Sequence, residues 1–342
     1  MSVQYWLILI VVGFYTLCMG IQDGANEVAT PVVSSSIGKI ESMLIACAVN
    51  IIAPIITFRT NNIQVALTIK ESIVNSSTYS HYSSTEGFIF VFAAICSSTI
   101  WLIFASLVKL PSSASHALMG SLIGAALPLF GASVLNGQQI FFKVILVTLL
   151  TPIITLFAGY LIMIILRFVA SRLRRRAIYI INFLQRVNVG IISMAISIND
   201  IMKSLGIVML LIIAIPAKIS YNLVGYEFLI IMSLIFNVGL IFGGNKLIST
   251  IGNKIYSINA FDSFVSQVSS QFIIFGASFL GIPVSIGQVT SSSIMGIGMT
   301  SNINSVRWSV SRKIVINWLL TIPCTLIFSA LFALVLKGGM LK

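Results

Sequence analysis

Three acidic residues, Asp23, Glu27 and Asp200, lie within or at the ends of apolar stretches of this 342-residue chain. An ionisable side chain at membrane depth is costly unless it is paired or faces water, so each of them calls for a role. Asp23 could cap a helix in an interface. Glu27 follows Asn26 and Asp200 follows Asn199, and a carboxylate beside an amide oxygen supplies hard ligands of the kind that hold a small cation. Carbonyls of an interrupted helix can complete such a shell. Two serine-rich interruptions offer the opposite chemistry. A half-helix starting just after Pro111 or Pro283 would present N–H donors and the positive end of its dipole, augmented by the hydroxyls of Ser112, Ser113, Ser115 and Ser285. That pocket suits an anion; the competing reading is a proline-kinked helix whose serines bond back to the preceding turn. Lys203 would stand near the face of Asp200, where it could neutralise that carboxylate or reach an oxyanion as a point charge.

These features come in duplicate. Asn199-Asp200 follows Asn26-Glu27 by 173 residues, and the segment from Pro283 to Gly296 aligns with Pro111 to Gly124 at an offset of 172. In that register Ser113 meets Ser285, Ser121 meets Ser293 and His116 meets Gln288. A proton-carrying role for His116 is therefore not required in both copies; a packed or hydrogen-bonded ring serves equally. Gly120 and Gly124 have the GxxxG spacing of close helix packing. Two repeats with broken helices and a site near the midplane are a common plan of secondary transporters, in parallel or inverted form. No Ser-His-Asp, HExxH, GxGxxG or Walker arrangement occurs in a suitable context, so neither an enzyme nor an organic cofactor is expected.

The elements that must position these groups are apolar helices. Hydrophobic residues make up 58% of the chain and charged residues 8%, with a mean hydropathy of +1.06, which excludes a water-soluble fold. Apolar blocks run at 5–21, 42–58, 88–108, 117–134 and 140–170, then at 188–198, 204–216, 227–243, 271–299 and 314–336, many of them long enough to span a bilayer core. Residues 61–86 and 244–261 read as extramembrane. The first block has no basic lead and no small-residue cleavage site after it, so it is expected to remain in the chain. Net charge is +12, and Arg167, Arg172, Arg174, Arg175, Arg176 and Arg186 cluster between apolar blocks, as in a cytoplasmic loop; no aromatic-interleaved basic motif suggests nucleic acid. Cys18, Cys47, Cys96 and Cys324 sit in apolar segments without CxxC spacing and read as small core residues.

At these motifs the chain resembles the inorganic phosphate transporter family, sodium- or proton-coupled phosphate permeases whose relatives include sulfate permeases. Asp23-Gly-Ala-Asn-Glu-Val-Ala-Thr30 is similar to the family's first signature, and Ser197-Ile-Asn-Asp-Ile-Met-Lys-Ser-Leu-Gly206 to its second. The two Pro-Ser segments resemble its Pro-Val-Ser-Thr-Thr-His stretches, and Arg307 to Pro323 its final helix. The resemblance implies cation ligation, with sodium as the metal, at Asn26, Glu27, Asn199 and Asp200. It implies anion contacts from Ser113, Ser115, Ser285 and Lys203. Glu27 stands where the family has Asp, Thr30 where it has Asn, Met202 where it has Gln, and Gly287-Gln288 where it has Thr-His.

The expectation is an all-α polytopic membrane protein of two inverted repeats with broken or re-entrant helices, residues 1–165 and 188–342, joined by a basic cytoplasmic loop at 166–187. It would import inorganic phosphate with a sodium or proton gradient, in the cell membrane, with a homo-oligomer left open. A sulfate or other oxyanion permease, an anion channel and a transport-inactive sensor or scaffold are the competing readings. Arg307, Arg312 and Lys313 should lie on the side of the basic loop, and the C-terminus on the other.

Overall fold

Helix starts are written in the polar residues that separate the apolar blocks. Ser83 accepts from the Glu86 amide at 3.3 Å while Glu86 Oε2 accepts from the Ser83 amide at 3.1 Å, and Asn259 and Asp262 form the same reciprocal cap. Such caps satisfy amides that the first turn cannot pair internally. The structure, a computed structural model, describes residues 3–74, 82–108, 112–172, 177–214 and 225–340. Arg174, Arg175, Arg176 and Pro111 lie outside the described residues.

The first half comprises α1 (Val3–Gln22), α2 (Gly24–Val33), α3 (Lys39–Arg59), a short α4 (Gln64–Ser72), α5 (Ser84–Leu107), α6 (Ala114–Phe130) and α7 (Val147–Ser171). A π-helical stretch, Phe141–Leu146, leads into α7. The second half comprises α8 (Ala177–Ala214), α9 (Tyr226–Lys254), α10 (Ala260–Phe279), α11 (Ile286–Ser301) and α12 (Trp308–Met340). No strand is formed among the described residues, and seven helical spans among them are long and apolar enough to cross a bilayer. The chain is an all-α, polytopic integral membrane protein.

Burial is inside out relative to a water-soluble protein. Asp200, Lys203, Asn199 and Glu27 are fully buried, whereas Phe242 is 79% exposed and Phe157, Leu161, Leu331 and Val335 project outward. Lipid is the solvent that makes this arrangement stable, because backbone bonds are closed within helices and apolar side chains cost nothing at the rim.

Four elements differ from the blocks read off hydropathy. Blocks 188–198 and 204–216 belong to one helix, α8, since Asn199, Asp200 and Lys203 lower the hydropathy without breaking the backbone. Block 271–299 is instead two helices, α10 and α11, divided by Gly281 at φ +68° and Pro283. The segment 244–261 is helical as far as Lys254, and α7 and α8 extend to Ser171 and from Ala177, so helix enters the basic stretch from both ends.

Two hairpins carry the interior. Tyr82 Oη donates to the Phe130 carbonyl at 3.2 Å, and Trp101 Nε1 donates to Ser112 Oγ at 2.9 Å, which sets α5 and α6 side by side and antiparallel. The α10–α11 pair repeats the arrangement. Packing between halves is reciprocal: α6 lies on α12 and α11 on α7, while α1 lies on α9 and α8 on α3. A Cβ at Gly124 would collide with the Leu326 carbonyl, and one at Gly296 with the Leu156 carbonyl, so each crossing depends on a glycine at the same repeat position.

One end of the molecule gathers the basic residues. Arg167 reaches Thr300 Oγ1 at 3.3 Å, the Arg307 amide bonds the Ile255 carbonyl at 2.9 Å, and Arg186 pairs with Glu41 at 2.5 Å. The opposite end holds Lys143 on Thr68 at 3.1 Å and Lys337 on the Pro128 carbonyl at 3.2 Å. Arg312 and Lys337 are separated along α12 by roughly 38 Å of helix, about the thickness of the membrane. Arg307 and Arg312 therefore share the end of Arg167, and the end of α12 lies at the other.

Candidate functional site

The hairpin tips meet in the interior around one carbonyl. Ser115 Oγ donates to the Val284 oxygen at 2.6 Å, and Lys203 Nζ donates to the same oxygen at 3.3 Å. Val284 belongs to the α10–α11 tip, Ser115 to the first turn of α6, and Lys203 to the middle of α8. Both half-helices begin here with the same cap: Ser113 Oγ accepts from the His116 amide at 3.1 Å, and Ser285 Oγ accepts from the Gln288 amide at 3.4 Å. As acceptors the two caps leave their hydroxyl hydrogens available to a ligand. Ser112 Oγ is held by Trp101, and its amide donates to Gln22 Oε1 at 3.4 Å. Four of the five groups expected to contact an anion, Ser113, Ser115, Ser285 and Lys203, are thus brought to facing hairpin tips, and Ser112 lies beside them.

Lys203 does not stand free. Its ammonium lies 2.5 Å from Asp200 Oδ1, and both side chains are fully buried. The spacing along α8 puts the two on one face, as the sequence suggested, and of its two readings the ion pair is the one formed in this state. Asp200 Oδ2 accepts from no N–H or hydroxyl.

The two Asn-acid pairs lie in different polar surroundings. Asn50 Nδ2 from α3 donates to Glu27 Oε1 at 3.3 Å, to Glu27 Oε2 at 3.1 Å and to Asn237 Oδ1 of α9 at 3.1 Å. Asn26 Oδ1 accepts from Thr290 Oγ1 at 2.6 Å. In α8, Asn199 Nδ2 donates to Ser278 Oγ at 3.0 Å and to the Ile282 carbonyl at 3.3 Å, tying the helix to the second hairpin and leaving its Oδ1 without a partner. A proline prepares the first pair: Pro31 has no amide to give the Glu27 carbonyl, which instead accepts from Gln267 Nε2 of α10 at 2.8 Å. His116 Nε2 meets Thr148 Oγ1 at 3.0 Å, which favours the hydrogen-bonded reading of that ring.

Asp23, for which the sequence offers an interfacial cap as one reading, stands at the N-cap position of α2 without a side-chain cap bond and is 1% exposed. Its carboxyl lies within hydrogen-bonding reach of that of Asp200, and neither Asp23 oxygen accepts from an N–H or a hydroxyl. Asn50 and Asn237 were missed. Each lies inside an apolar run with no flanking signature, and only the antiparallel packing of α3 and α9 brings them together. No group of three His, Cys, Asp or Glu side chains that could hold a metal forms among the described residues. The donors present, carboxylate, amide and main-chain oxygens, match a hard cation of low charge.

A sequence profile of the phosphate transporter family matches residues 19–329. The chain is 29% identical over 339 residues to a Bacillus subtilis (strain 168) protein described as "Probable low-affinity inorganic phosphate transporter", covering 97% of this chain and 96% of that one. It is 28% identical to a Rhizobium meliloti (strain 1021) protein of the same description, covering 93% and 92%. A solved structure, "The sodium-dependent phosphate transporter", superposes with a TM-score of 0.81 over 98% of this chain and all of that one at 19% identity, a likeness of fold.

Proposed function

Because the chain belongs to the phosphate transporter family, we propose that it carries inorganic phosphate into the cell as a symporter driven by a monovalent cation gradient. The observation that carries this reading is the buried Lys203–Asp200 pair set against the capped N-termini of α6 and α11. A lysine side chain and two positive helix ends suit an oxyanion that has shed its water. Unpartnered carboxylate oxygens beside them suit a co-transported cation. An anion channel would have use for the first set and none for the second.

Six of the seven long spans divide three to each half, α1–α2, α3 and α7 in the first and α8, α9 and α12 in the second, and the seventh, α5, pairs back with α6 in a hairpin that returns to its own side, as α10–α11 does in the second half. An odd number of crossings turns the second half over relative to the first, which supports inverted repeats spanning 1–165 and 188–342. Alternating access is then a rocking of the halves about the hairpin tips. The gathering of Arg167, Arg172, Arg186, Arg307, Arg312 and Lys313 at one end supports a cytoplasmic location for that end and for the 166–187 linker, in the cell membrane.

Substrate choice rests on which hydrogens the site can accept. Hydrogen phosphate donates, whereas sulfate near neutral pH only accepts, and the Val284 carbonyl at the tip, filled here by Ser115 and Lys203, becomes an acceptor for it once Lys203 turns to the anion. Competition of unlabelled sulfate against labelled phosphate uptake tests this choice. Weak competition is expected; equal competition would make the carrier a general oxyanion permease.

A further inference from the structure

Resting on the symport reading above, we propose that Asp23 is a ligand of the coupling cation and that the ion works by replacing Lys203 as the counter-ion of Asp200. At the α1–α2 junction both oxygens of Asp23, and Oδ2 of Asp200, are buried and accept from no N–H or hydroxyl, and the two carboxyl groups lie within hydrogen-bonding reach of each other. With both carboxyls ionised, one ammonium leaves one negative charge that a bound cation would compensate. The other groups facing Asp23 do not compensate it: Tyr15 Oη is committed to the Ala114 carbonyl at 3.1 Å, and the Glu27 carboxylate is committed to Asn50. A sodium-sized cation between the two carboxylates would complete the charge with hard oxygen donors.

The consequence for transport lies in Lys203. Its ammonium is held by Asp200 at 2.5 Å and by the Val284 carbonyl, so an anion arriving at the hairpin tips meets a lysine already neutralised. Pulling Lys203 away without a cation would leave two facing carboxylates unpaired in a low-dielectric interior. With the cation in place Asp200 keeps a counter-ion, and Lys203 is free to turn toward the anion beside Ser115. Cation and phosphate thus raise each other's affinity by the same factor, as linkage requires. Coupling is built into the competition of two cations for one carboxylate, with no need for a long-range conformational signal.

Equilibrium binding to the purified full-length protein in detergent tests this, using radiolabelled sodium and, separately, radiolabelled phosphate with sodium replaced by choline. In the parent protein saturating sodium should tighten phosphate binding about tenfold. Asp23→Asn should lose sodium binding and keep phosphate binding, at the parent's sodium-free affinity and insensitive to sodium. Lys203→Gln should lose phosphate binding yet hold sodium more tightly than the parent, because the internal competitor for Asp200 is gone; a merely structural lysine would not give that gain. Asp23→Glu, which keeps the charge, should retain sodium binding and shows that loss in Asp23→Asn is not misfolding. Sodium-dependent phosphate binding that survives Asp23→Asn, or weaker sodium binding in Lys203→Gln, would overturn the proposal. A parent that binds sodium through Asp23 but binds no phosphate would overturn the exchange at Lys203 and the phosphate reading together, while leaving Asp23 as a cation ligand.

Discussion

Asn50 and Asn237 join the two halves of the molecule at its centre, with Asn50 Nδ2 donating to Asn237 Oδ1 at 3.1 Å while holding both oxygens of Glu27. They sit in α3 and α9, the helices that follow the acidic helices of each half. One amide thus ties a buried carboxylate to the opposite half of the chain. Asn50→Ala should lose a bond to a charged group and leave Glu27 without its amide donor, a cost of about 1.5–3 kcal/mol. Thermal unfolding in detergent measures it. Asn237→Ala should cost less, because the Asn50 bonds to Glu27 remain. Equal stability of Asn50→Ala and the parent would show that the carboxylate finds other partners.

Glu27→Gln and Asp200→Asn should each abolish gradient-driven uptake while the protein still inserts and melts cooperatively. Both exchanges keep shape and remove the charge that compensates cation dehydration, so a higher phosphate concentration should not restore transport. Uptake assays with an imposed gradient check this, and unaltered gradient dependence in both variants would remove these residues from the coupling site.

The paired glycine crossings make a symmetric forecast. Gly124→Ala and Gly296→Ala each push a methyl into a main-chain carbonyl of the opposite half, Leu326 and Leu156 respectively. Each should destabilise by roughly 1–3 kcal/mol, and the two losses should be similar. Gly276→Ala, where an added Cβ meets nothing, should be neutral. Detergent melting temperatures of the three variants decide it.

Restoring a family group should tighten the anion site. At Gly287 a Cβ would meet only the Ser112 carbonyl, at 3.5 Å, so a threonine fits beside the hairpin tips. Gly287→Thr is expected to lower the phosphate concentration needed for half-maximal uptake, since one hydrogen bond to a charged group contributes about 1.5–3 kcal/mol when its geometry is right. Lys203→Ala should instead weaken phosphate and sulfate together, because a point charge does not distinguish them. An unchanged phosphate affinity in Gly287→Thr would place the anion away from this turn.

Orientation is open to labelling. In a background lacking Cys18, Cys47, Cys96 and Cys324, a cysteine at Gly338 should react with an impermeant maleimide on intact cells, and one at Arg175 should not. Ready modification at 175 from outside would invert the assignment.

Much of this fold is legible in the sequence because lipid demands long apolar helices, and the repeat offset of about 172 is visible in Ser113 and Ser285, which cap matching half-helices. The second hairpin was less legible: block 271–299 reads as continuous because Gly281 and Pro283 interrupt hydropathy only briefly. Conversely, α8 read as two pieces because Asn199, Asp200 and Lys203 imitate a loop in composition while remaining helical. Of the site, the residues within motifs were found. Asp23 stood among the acidic candidates but its depth was not legible, since that depends on how α1 joins α2; Asn50 and Asn237 were not found, since a lone amide in an apolar run carries no sign of its partner across the interface between the halves.

The central claim is cation-coupled phosphate transport, and uptake of radiolabelled phosphate into proteoliposomes of the purified protein tests it most directly. An inward sodium or proton gradient should drive saturable accumulation above the equilibrium level, and collapse of that gradient with an ionophore should release it. Phosphate entry that is linear in concentration and indifferent to either gradient would contradict the account.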